Sequence, residues 1–270
     1  MYNMSYATQD LAEKVSVIAK KAGDAILAIY ERDFAVYDKS DSSPLTEADL
    51  AAHKVICQGL EGISDLPILS EESASIDWSE RQSWTSYWLV DPLDGTKEFI
   101  KKNGEFTVNI ALIENGKPTL GVVYAPVLDI FYVGVNDSAY TIEQGTQRAI
   151  SIADKASATQ YNVVGSRSHA SPETTAFLDA LDKPAELVAM GSSLKLCLVA
   201  TGQAHFYPRL GPTSEWDTAA AHAVALAAGA MVKAFSVEDI PVAVTTPESL
   251  SDLVYNQKES LLNPYFLVSC

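Results

Sequence analysis

The sequence has few cysteines and no long apolar run. Its three cysteines, Cys57, Cys197 and Cys270, are odd in number and far apart, which argues against a disulfide framework and against a zinc knuckle. No segment has the unbroken apolar length that a membrane-spanning helix needs, and residues 1–30 lack the apolar stretch of a signal peptide. We therefore expect a soluble, cytoplasmic protein.

Basic residues are also scarce. The 270-residue chain has 19 lysines and arginines against 35 acidic residues, which gives a formal net charge of -16. A protein that binds a nucleic-acid polymer needs a basic face to neutralise many phosphates, so we expect no such partner. A single small anion can still bind, because metal ions or a few placed cations reverse the local field.

The elements predicted from the sequence differ between the two halves of the chain. Residues 11–29 have the apolar spacing of an amphipathic helix that Thr8 can cap, and a second helix follows with Thr46 as its predicted N-cap. Alternating, branched segments then surround the turn Asn115-Gly116, which predicts antiparallel strands joined by a hairpin. In the last part of the chain, strands alternate with helices.

No linker, internal repeat or low-complexity segment separates the two halves. We therefore predict an α+β protein. Its N-terminal half, residues 1–150, carries the antiparallel sheet, and its C-terminal half, residues 151–270, is of α/β type. The two halves are expected to pack as one compact catalytic unit.

Acidic residues stand at the ends of several apolar elements. Glu71 follows one short strand, Asp91 and Asp94 follow the strand Tyr-Trp-Leu-Val, and Asp217 stands in the first turn of a predicted alanine-rich helix. Two carboxylates about 4 Å apart repel by roughly 4 kcal/mol at an effective dielectric constant near 20, so their convergence requires cations. Oxygen ligands without nearby histidine or cysteine indicate ions of the magnesium type.

The Asp-x-x-Asp spacing suits such a site. Asp91 can bridge two ions while Asp94 binds one of them, and a kink at Pro92 can turn the Leu93 carbonyl toward the same place. The residues alone leave two other interpretations open, because acids at strand ends are often solvated loop residues and because Asp91 could form an aspartyl-phosphate. A Ser-His-acid hydrolase using Ser168 or Ser192 with His169 is a weaker alternative, since no Gly-x-Ser-x-Gly elbow is present.

Several segments resemble a known family. DPLDGTKEF matches the Asp-Pro-hydrophobic-Asp-Gly-Thr motif of the lithium-sensitive, magnesium-dependent phosphatases of the inositol monophosphatase superfamily, and SEES and WDTAAAHAVALAAG match its companion motifs in order. The likeness covers essentially the whole chain. SRSHA and GSSLKLCLVATGQAHFYPR resemble the bacterial CysQ branch, the 3'(2'),5'-bisphosphate nucleotidases. The resemblance implies the sugar-phosphatase fold, a layered α/β/α/β/α sandwich.

The resemblance also implies a set of metal ligands and catalytic groups. It places a first magnesium ion on Glu71, Asp91 and the Leu93 backbone carbonyl, a second on Asp91, Asp94 and Asp217, and leaves room for a third, weaker one. A metal-activated water would be the nucleophile. Glu71 and Thr96 would orient this water, with Asp49 close by and tied either to the Thr96 network or to the third ion.

Substrate contacts follow from the same resemblance. The scissile phosphate would lie near Asp217 and the backbone N–H groups of Gly95 and Thr96. The remaining contacts, with the nucleotide and its remote phosphate, would come from His169, Ser192, Lys195 and Arg209. Ser192 lies at a predicted helix N-terminus, which favours an anion, and an arginine can bind phosphate through two parallel hydrogen bonds.

The implied reaction is hydrolysis of the 3'-phosphate of adenosine 3',5'-bisphosphate (PAP) to AMP and phosphate, with the sulfated precursor PAPS as a second substrate candidate. The implied role is clearance of PAP during sulfate assimilation, with inhibition by lithium. An inositol or sugar monophosphatase of the same superfamily is the principal alternative; a fructose bisphosphatase and a catalytically dead nucleotide sensor are weaker ones. The sequence leaves open whether the chain is a monomer or a dimer, and whether it attaches peripherally to the inner membrane.

Overall fold

The computed structural model of the chain describes residues 5–32, 44–165 and 171–270. Within these residues a first sheet contains seven strands that are hydrogen-bonded in chain order: β1 (Ile68–Ser70), β2 (Ser86–Asp94), β3 (Thr107–Glu114), β4 (Lys117–Ala125), β5 (Ile130–Val135), β6 (Ser138–Glu143) and β7 (Thr146–Ala149). β1 is parallel to β2, and every later neighbour pair is antiparallel.

A second sheet follows in the sequence. Its strands in the described residues are β8 (Tyr161–Gly165), β9 (Ala185–Ala189), β10 (Phe206–Arg209), β11 (Met231–Ala234) and β12 (Phe266–Ser269). They are ordered β11-β12-β10-β8-β9 across the sheet. The sheet is mixed, because β10 is parallel to β8 and antiparallel to β12.

Helices complete the architecture. In the described residues they are α1 (Gln9–Tyr30), α2 (Pro44–Glu61), α3 (Trp78–Arg81), α4 (Thr96–Ile100), α5 (Pro172–Asp179), α6 (Leu194–Ala200), α7 (Ala219–Ala227) and α8 (Ile240–Thr245). α1 and α2 cover one face of the first sheet, α6 and α7 lie between the two sheets, and α5 and α8 cover the outer face of the second sheet. The predicted five-layer α+β sandwich is therefore confirmed.

The central helix α7 packs unusually close to the first sheet. A Cβ atom added at Gly121 of β4 would overlap the carbonyl oxygen of Ala220, and one added at Gly134 of β5 would lie 2.5 Å from the Cα of Val224. Glycine in the strands and alanine in the helix thus let the two backbones approach each other. This close packing fixes the position of the segment that enters α7, which includes Asp217.

Several local predictions are confirmed. The Thr8 side chain accepts a hydrogen bond from the Leu11 N–H and caps α1. The β3–β4 hairpin turns at Asn115 and Gly116, which have φ values of 52° and 77° and so occupy the left-handed region that such a turn requires.

The prediction that Thr46 caps the second helix is wrong. α2 begins at Pro44, so Thr46 lies inside the helix. The first helical position favours proline, because the N–H that proline lacks would have no intrahelical partner there.

The predicted division near residue 150 stays a prediction, although the two sheets lie on either side of it in the sequence. No helix in the described part of the chain is both long and apolar enough to span a bilayer.

Candidate active site

Three acidic side chains converge where β1, β2 and the segment before α7 meet. Glu71 begins a short 3-10 turn directly after β1, Asp91 lies in β2, and Asp217 ends the 3-10 turn Glu215–Asp217 just before α7. One carboxylate oxygen from each lies within 4.8 Å of the others. The structure therefore brings together three acids that are separated by up to 146 residues in the sequence (217 − 71).

The segment from Asp91 to Asp94 departs from the predicted geometry. Instead of ending before Asp91, β2 continues to Asp94, with a register shift against β3 between these two residues. Pro92 cannot donate a ladder hydrogen bond, and a bulge is how a strand accommodates this loss. The Leu93 N–H donates to Asp91 Oδ1 over 3.0 Å, which folds the segment back on its own acid.

Asp94 lies beside the three acids and is held by a turn from the second half of the chain. Its Oδ2 accepts a hydrogen bond from Ser192 Oγ at 2.6 Å and another from the Ser193 N–H, also at 2.6 Å. Burial raises the pKa of Asp94, while the positive charge of Lys195 and these two hydrogen bonds act in the opposite direction.

The electrostatics of the cluster indicate a cation site. Burial first, and then the charge of Asp217, raise the pKa of Glu71 to about 7; burial and Asp94 raise the pKa of Asp217 to about 6. Asp91 is 1% exposed, and burial together with Asp94 and Glu71 raises its pKa well above the ordinary value. Without a counter-charge these groups hold their protons to a higher pH than ordinary carboxyl groups do. All donors are carboxylate oxygens, which fit a hard divalent cation.

Asp49 and Thr96 border this cluster. Burial, followed by the charges of Glu72 and Glu71, raises the pKa of Asp49 to about 8. Among the described residues no hydrogen bond reaches its buried Oδ1 atom, and none joins it to Thr96. Thr96 is exposed and begins α4, directly after Gly95, whose φ of 107° few other residues adopt. The predicted roles of these residues stay predictions.

One cavity of about 630 Å³ connects the acids to two basic side chains. Lys195 Nζ donates to the Ser192 carbonyl at 3.1 Å, and burial lowers the pKa of this lysine. Arg209 Nη2 donates to the Pro212 carbonyl at 2.9 Å, while its buried Nε has no hydrogen-bond partner in the described residues. His169, the remaining predicted nucleotide contact, lies outside the described residues.

The sequence predicts a helix start at the turn Gly191–Ser193 but does not predict that this turn contacts Asp94. The Gly191 N–H donates to Glu105 Oε2 at 2.8 Å, and a Cβ added at Gly191 would lie 2.6 Å from Glu98 Cγ. Ser192 has a φ of 54°, a conformation that costs a non-glycine residue roughly 1–2 kcal/mol. The strained turn aims Ser192 Oγ and the Ser193 N–H at Asp94, whereas the sequence suggested only an anion-binding helix start.

Comparison with known proteins identifies the family of the chain. The model of the inositol monophosphatase family matches residues 8–263. The chain belongs to the inositol monophosphatase family. It is 49% identical over 262 residues to the 3'(2'),5'-bisphosphate nucleotidases CysQ of Salmonella typhimurium and Escherichia coli K12, which covers 96% of this chain and 99% of each relative.

Solved structures of the inositol monophosphatase family have the same fold. CysQ from Bacteroides thetaiotaomicron superimposes with a TM-score of 0.83 at 42% identity, with 97% of each chain covered. An inositol monophosphatase from Zymomonas mobilis superimposes with a TM-score of 0.73 at 20% identity, covering 98% of this chain and 94% of that one. The second likeness shows the fold alone.

Proposed function

We propose that this chain is a magnesium-dependent phosphomonoesterase that removes the 3'-phosphate of PAP and so gives AMP and phosphate. The observation that carries this function is a cavity lined both by the acids Glu71, Asp91, Asp94 and Asp217 and by the basic side chains of Lys195 and Arg209. A bisphosphorylated nucleotide presents two phosphates some distance apart, and the cavity offers acids that would hold metal ions for one phosphate and basic side chains for the other. The nucleotidase relatives at 49% identity support the same substrate.

The acids would hold the metal. Glu71, Asp91 and the Leu93 carbonyl would bind one magnesium ion, and Asp91, Asp94 and Asp217 a second. Bound magnesium would supply positive charge that stabilises the transferring phosphoryl group and would lower the pKa of a water nucleophile. Ser192 and Ser193 fix one oxygen of Asp94 by hydrogen bonds.

The remaining residues orient the reacting groups. Glu71 and Thr96 line the same cavity, where the Glu71 carboxylate and the Thr96 hydroxyl would accept and donate the hydrogen bonds that orient the attacking water. The charges of Asp49 and Glu71 influence each other, so Asp49 would help to set the charge near that water. Gly95 and Thr96 would donate backbone N–H groups to the scissile phosphate.

Lys195, Arg209 and His169 would recognise the nucleotide and its remote phosphate. Ser192 would contribute through its backbone, because its hydroxyl proton is donated to Asp94. The buried Arg209 Nε has no partner among the described residues, so an incoming anion would satisfy it. PAPS is the second substrate that this arrangement would accept, and clearance of PAP formed in sulfate assimilation is the proposed role. Lithium would inhibit by displacing one magnesium ion.

Magnesium should stabilise the protein more at high pH than at low pH. In the ligand-free protein the folded pKa values of Glu71, Asp217 and Asp49 are about 7, 6 and 8, above those of the unfolded chain. At these three groups the folded state then binds more protons than the unfolded state, so their contribution to stability is greatest below about pH 4 and is lost as pH rises toward about 8. Magnesium binds the ionised form and should restore this loss.

We expect the magnesium-induced rise in Tm to be near zero at about pH 5 and about 5 °C or more at about pH 8. The measurement is a pair of melting curves at each pH, one with magnesium and one with EDTA. Groups away from the site, such as the buried His222, affect both curves alike and cancel in the difference. A magnesium-induced rise that is the same at both pH values would contradict protonation of the ligand acids.

The direct test of the proposed function is product analysis with PAP as substrate. We expect AMP and phosphate to form with magnesium, and both EDTA and lithium to suppress the reaction. Formation of adenosine 3'-phosphate instead of AMP would show that the phosphate at the other position reacts, and would contradict the proposed orientation.

A further inference from the structure

Behind the Ser192–Ser193 turn lies a buried group of hydroxyl and amide side chains. Thr107 and Asn109 belong to β3, where their exposed fractions are 0% and 1%, and Ser193 is 2% exposed. Thr107 is paired across the sheet with Asp94, and Asn109 is paired with Asp91. Each polar side chain thus lies on β3 directly opposite one of the two acids of the Asp-x-x-Asp segment.

Short hydrogen bonds connect this group to the acid. Thr107 Oγ1 lies 2.6 Å from Ser192 Oγ and 2.8 Å from Ser193 Oγ. Ser193 Oγ donates to Asn109 Oδ1 at 2.7 Å, and Asn109 Nδ2 donates to Thr107 Oγ1 at 3.1 Å. Ser192 Oγ in turn reaches Asp94 Oδ2 at 2.6 Å.

The count of protons fixes the direction of these bonds. An ionised carboxylate only accepts, so the single hydroxyl proton of Ser192 is donated to Asp94. The hydroxyl proton of Ser193 is donated to Asn109. The Thr107 hydroxyl must therefore be the donor toward the serines, of which Ser192 is the nearer.

The result is a directed chain of hydrogen bonds. It runs from Asn109 Nδ2 to Thr107 Oγ1, from Thr107 to Ser192 Oγ, and from Ser192 to Asp94 Oδ2. Donors arranged in this order polarise one another, so that each strengthens the next. Among the described residues no hydrogen bond reaches the other oxygen of Asp94, Oδ1, which remains available as a ligand atom.

We propose that Thr107 and Asn109 are positioning residues that set the Asp94 carboxylate for magnesium through the Ser192–Ser193 turn. This inference rests on the proposed function. The chain fixes Oδ2 and so determines where Oδ1 lies before an ion arrives. Partners that orient a metal ligand without touching the metal have this effect, and their loss typically weakens metal binding by about 10- to 100-fold.

The test compares magnesium binding by Thr107 variants in the absence of nucleotide. Thr107→Val has a similar shape but no donor, and we expect the magnesium concentration that gives a half-maximal Tm shift to rise by about tenfold or more. Thr107→Ser keeps the hydroxyl and should restore binding to within about threefold of the wild-type protein. With saturating magnesium, the KM of Thr107→Val for PAP should stay close to the wild-type value.

Thr119→Val is the matched control. Thr119 lies in β4 of the same sheet, and its hydroxyl donates one hydrogen bond, to Glu114 Oε2 at 2.6 Å, but it does not line the cavity. The Thr119→Val variant loses one side-chain hydrogen bond, as Thr107→Val does, and should keep the wild-type response to magnesium. If Thr107→Val does not fold, Thr107→Cys gives the same comparison, because a thiol of similar size is only a weak donor.

The possible outcomes separate this inference from the proposed function. Equal half-maximal magnesium concentrations for Thr107→Val, Thr107→Ser and the wild-type protein would overturn the positioning role, whatever the activity. A wild-type protein that binds magnesium but does not hydrolyse PAP would contradict only the proposed substrate. No magnesium response in the wild-type protein would overturn the metal assignment and the positioning role together.

Discussion

Asp91→Asn is expected to lower kcat on PAP by about a thousandfold or more while leaving the fold intact. Asp91 lies at the centre of the acidic cluster and is the ligand that would bridge both ions. Asparagine keeps the shape, and its oxygen can still accept the hydrogen bond from the Leu93 N–H. It removes the charge that metal binding requires, and losing several kcal/mol of transition-state stabilisation corresponds to about this factor.

The stability of this variant provides an internal control. Burial and the neighbouring Asp94 and Glu71 disfavour a charge on Asp91 in the ligand-free protein. Removing that charge should leave the Tm in EDTA equal to or above the wild-type value, while the rise caused by magnesium should largely disappear. Asp137→Asn, an exposed change in the turn between β5 and β6, should alter neither quantity. Turnover by Asp91→Asn within tenfold of wild type, at saturating magnesium, would contradict the bridging role.

Lys195→Ala is expected to raise the KM for PAP by about 10- to 100-fold and to change kcat less. Lys195 is partly buried and lines the cavity, where its charge would face the remote phosphate. The loss of one hydrogen bond to a charged group typically costs about 1.5–3 kcal/mol, which is close to that range of KM. The measurement is steady-state kinetics at saturating magnesium, because Lys195 also influences the charge of Asp94.

A second substrate distinguishes recognition of the remote phosphate by Lys195 from its influence on the charge of Asp94. Adenosine 3'-phosphate carries the scissile phosphate but lacks the 5'-phosphate, so its KM should be nearly the same in Lys195→Ala and in the wild-type protein. Equal losses on both substrates would show that Lys195 acts through the metal site and would remove it from recognition of the remote phosphate.

The acids could be predicted because each one ends or begins an apolar element. Glu71 follows β1 and Asp217 precedes α7, and such positions allow carboxylates to meet at the edge of a core. The exact course of β2 could not be predicted, because a bulge depends on how β3 pairs across Pro92. The predicted start of α2 was wrong because Pro44 and Thr46 both favour the beginning of a helix, and the sequence does not show which of the two is used.

The interactions behind Asp94 could not be predicted because they depend on register and on a strained turn. Alternation along β3 places Thr107 and Asn109 on one face, but the sequence does not show which residues lie opposite. Ser192 was predicted to contact phosphate, whereas in the structure its hydroxyl donates to Asp94. The left-handed conformation of Ser192 makes this possible, and no propensity rule assigns it to serine.

One cavity joins the proposed magnesium site to the proposed site for a second phosphate. The most direct test measures kcat/KM for phosphate release from PAP and from inositol 1-phosphate, each with magnesium, with EDTA and with added lithium. We expect rapid release from PAP, at least about a hundredfold more efficient than from inositol 1-phosphate, with EDTA and lithium both inhibiting. Equal or greater efficiency on inositol 1-phosphate would contradict the assignment of Lys195 and Arg209 to substrate recognition, and release unaffected by EDTA would contradict the metal site itself.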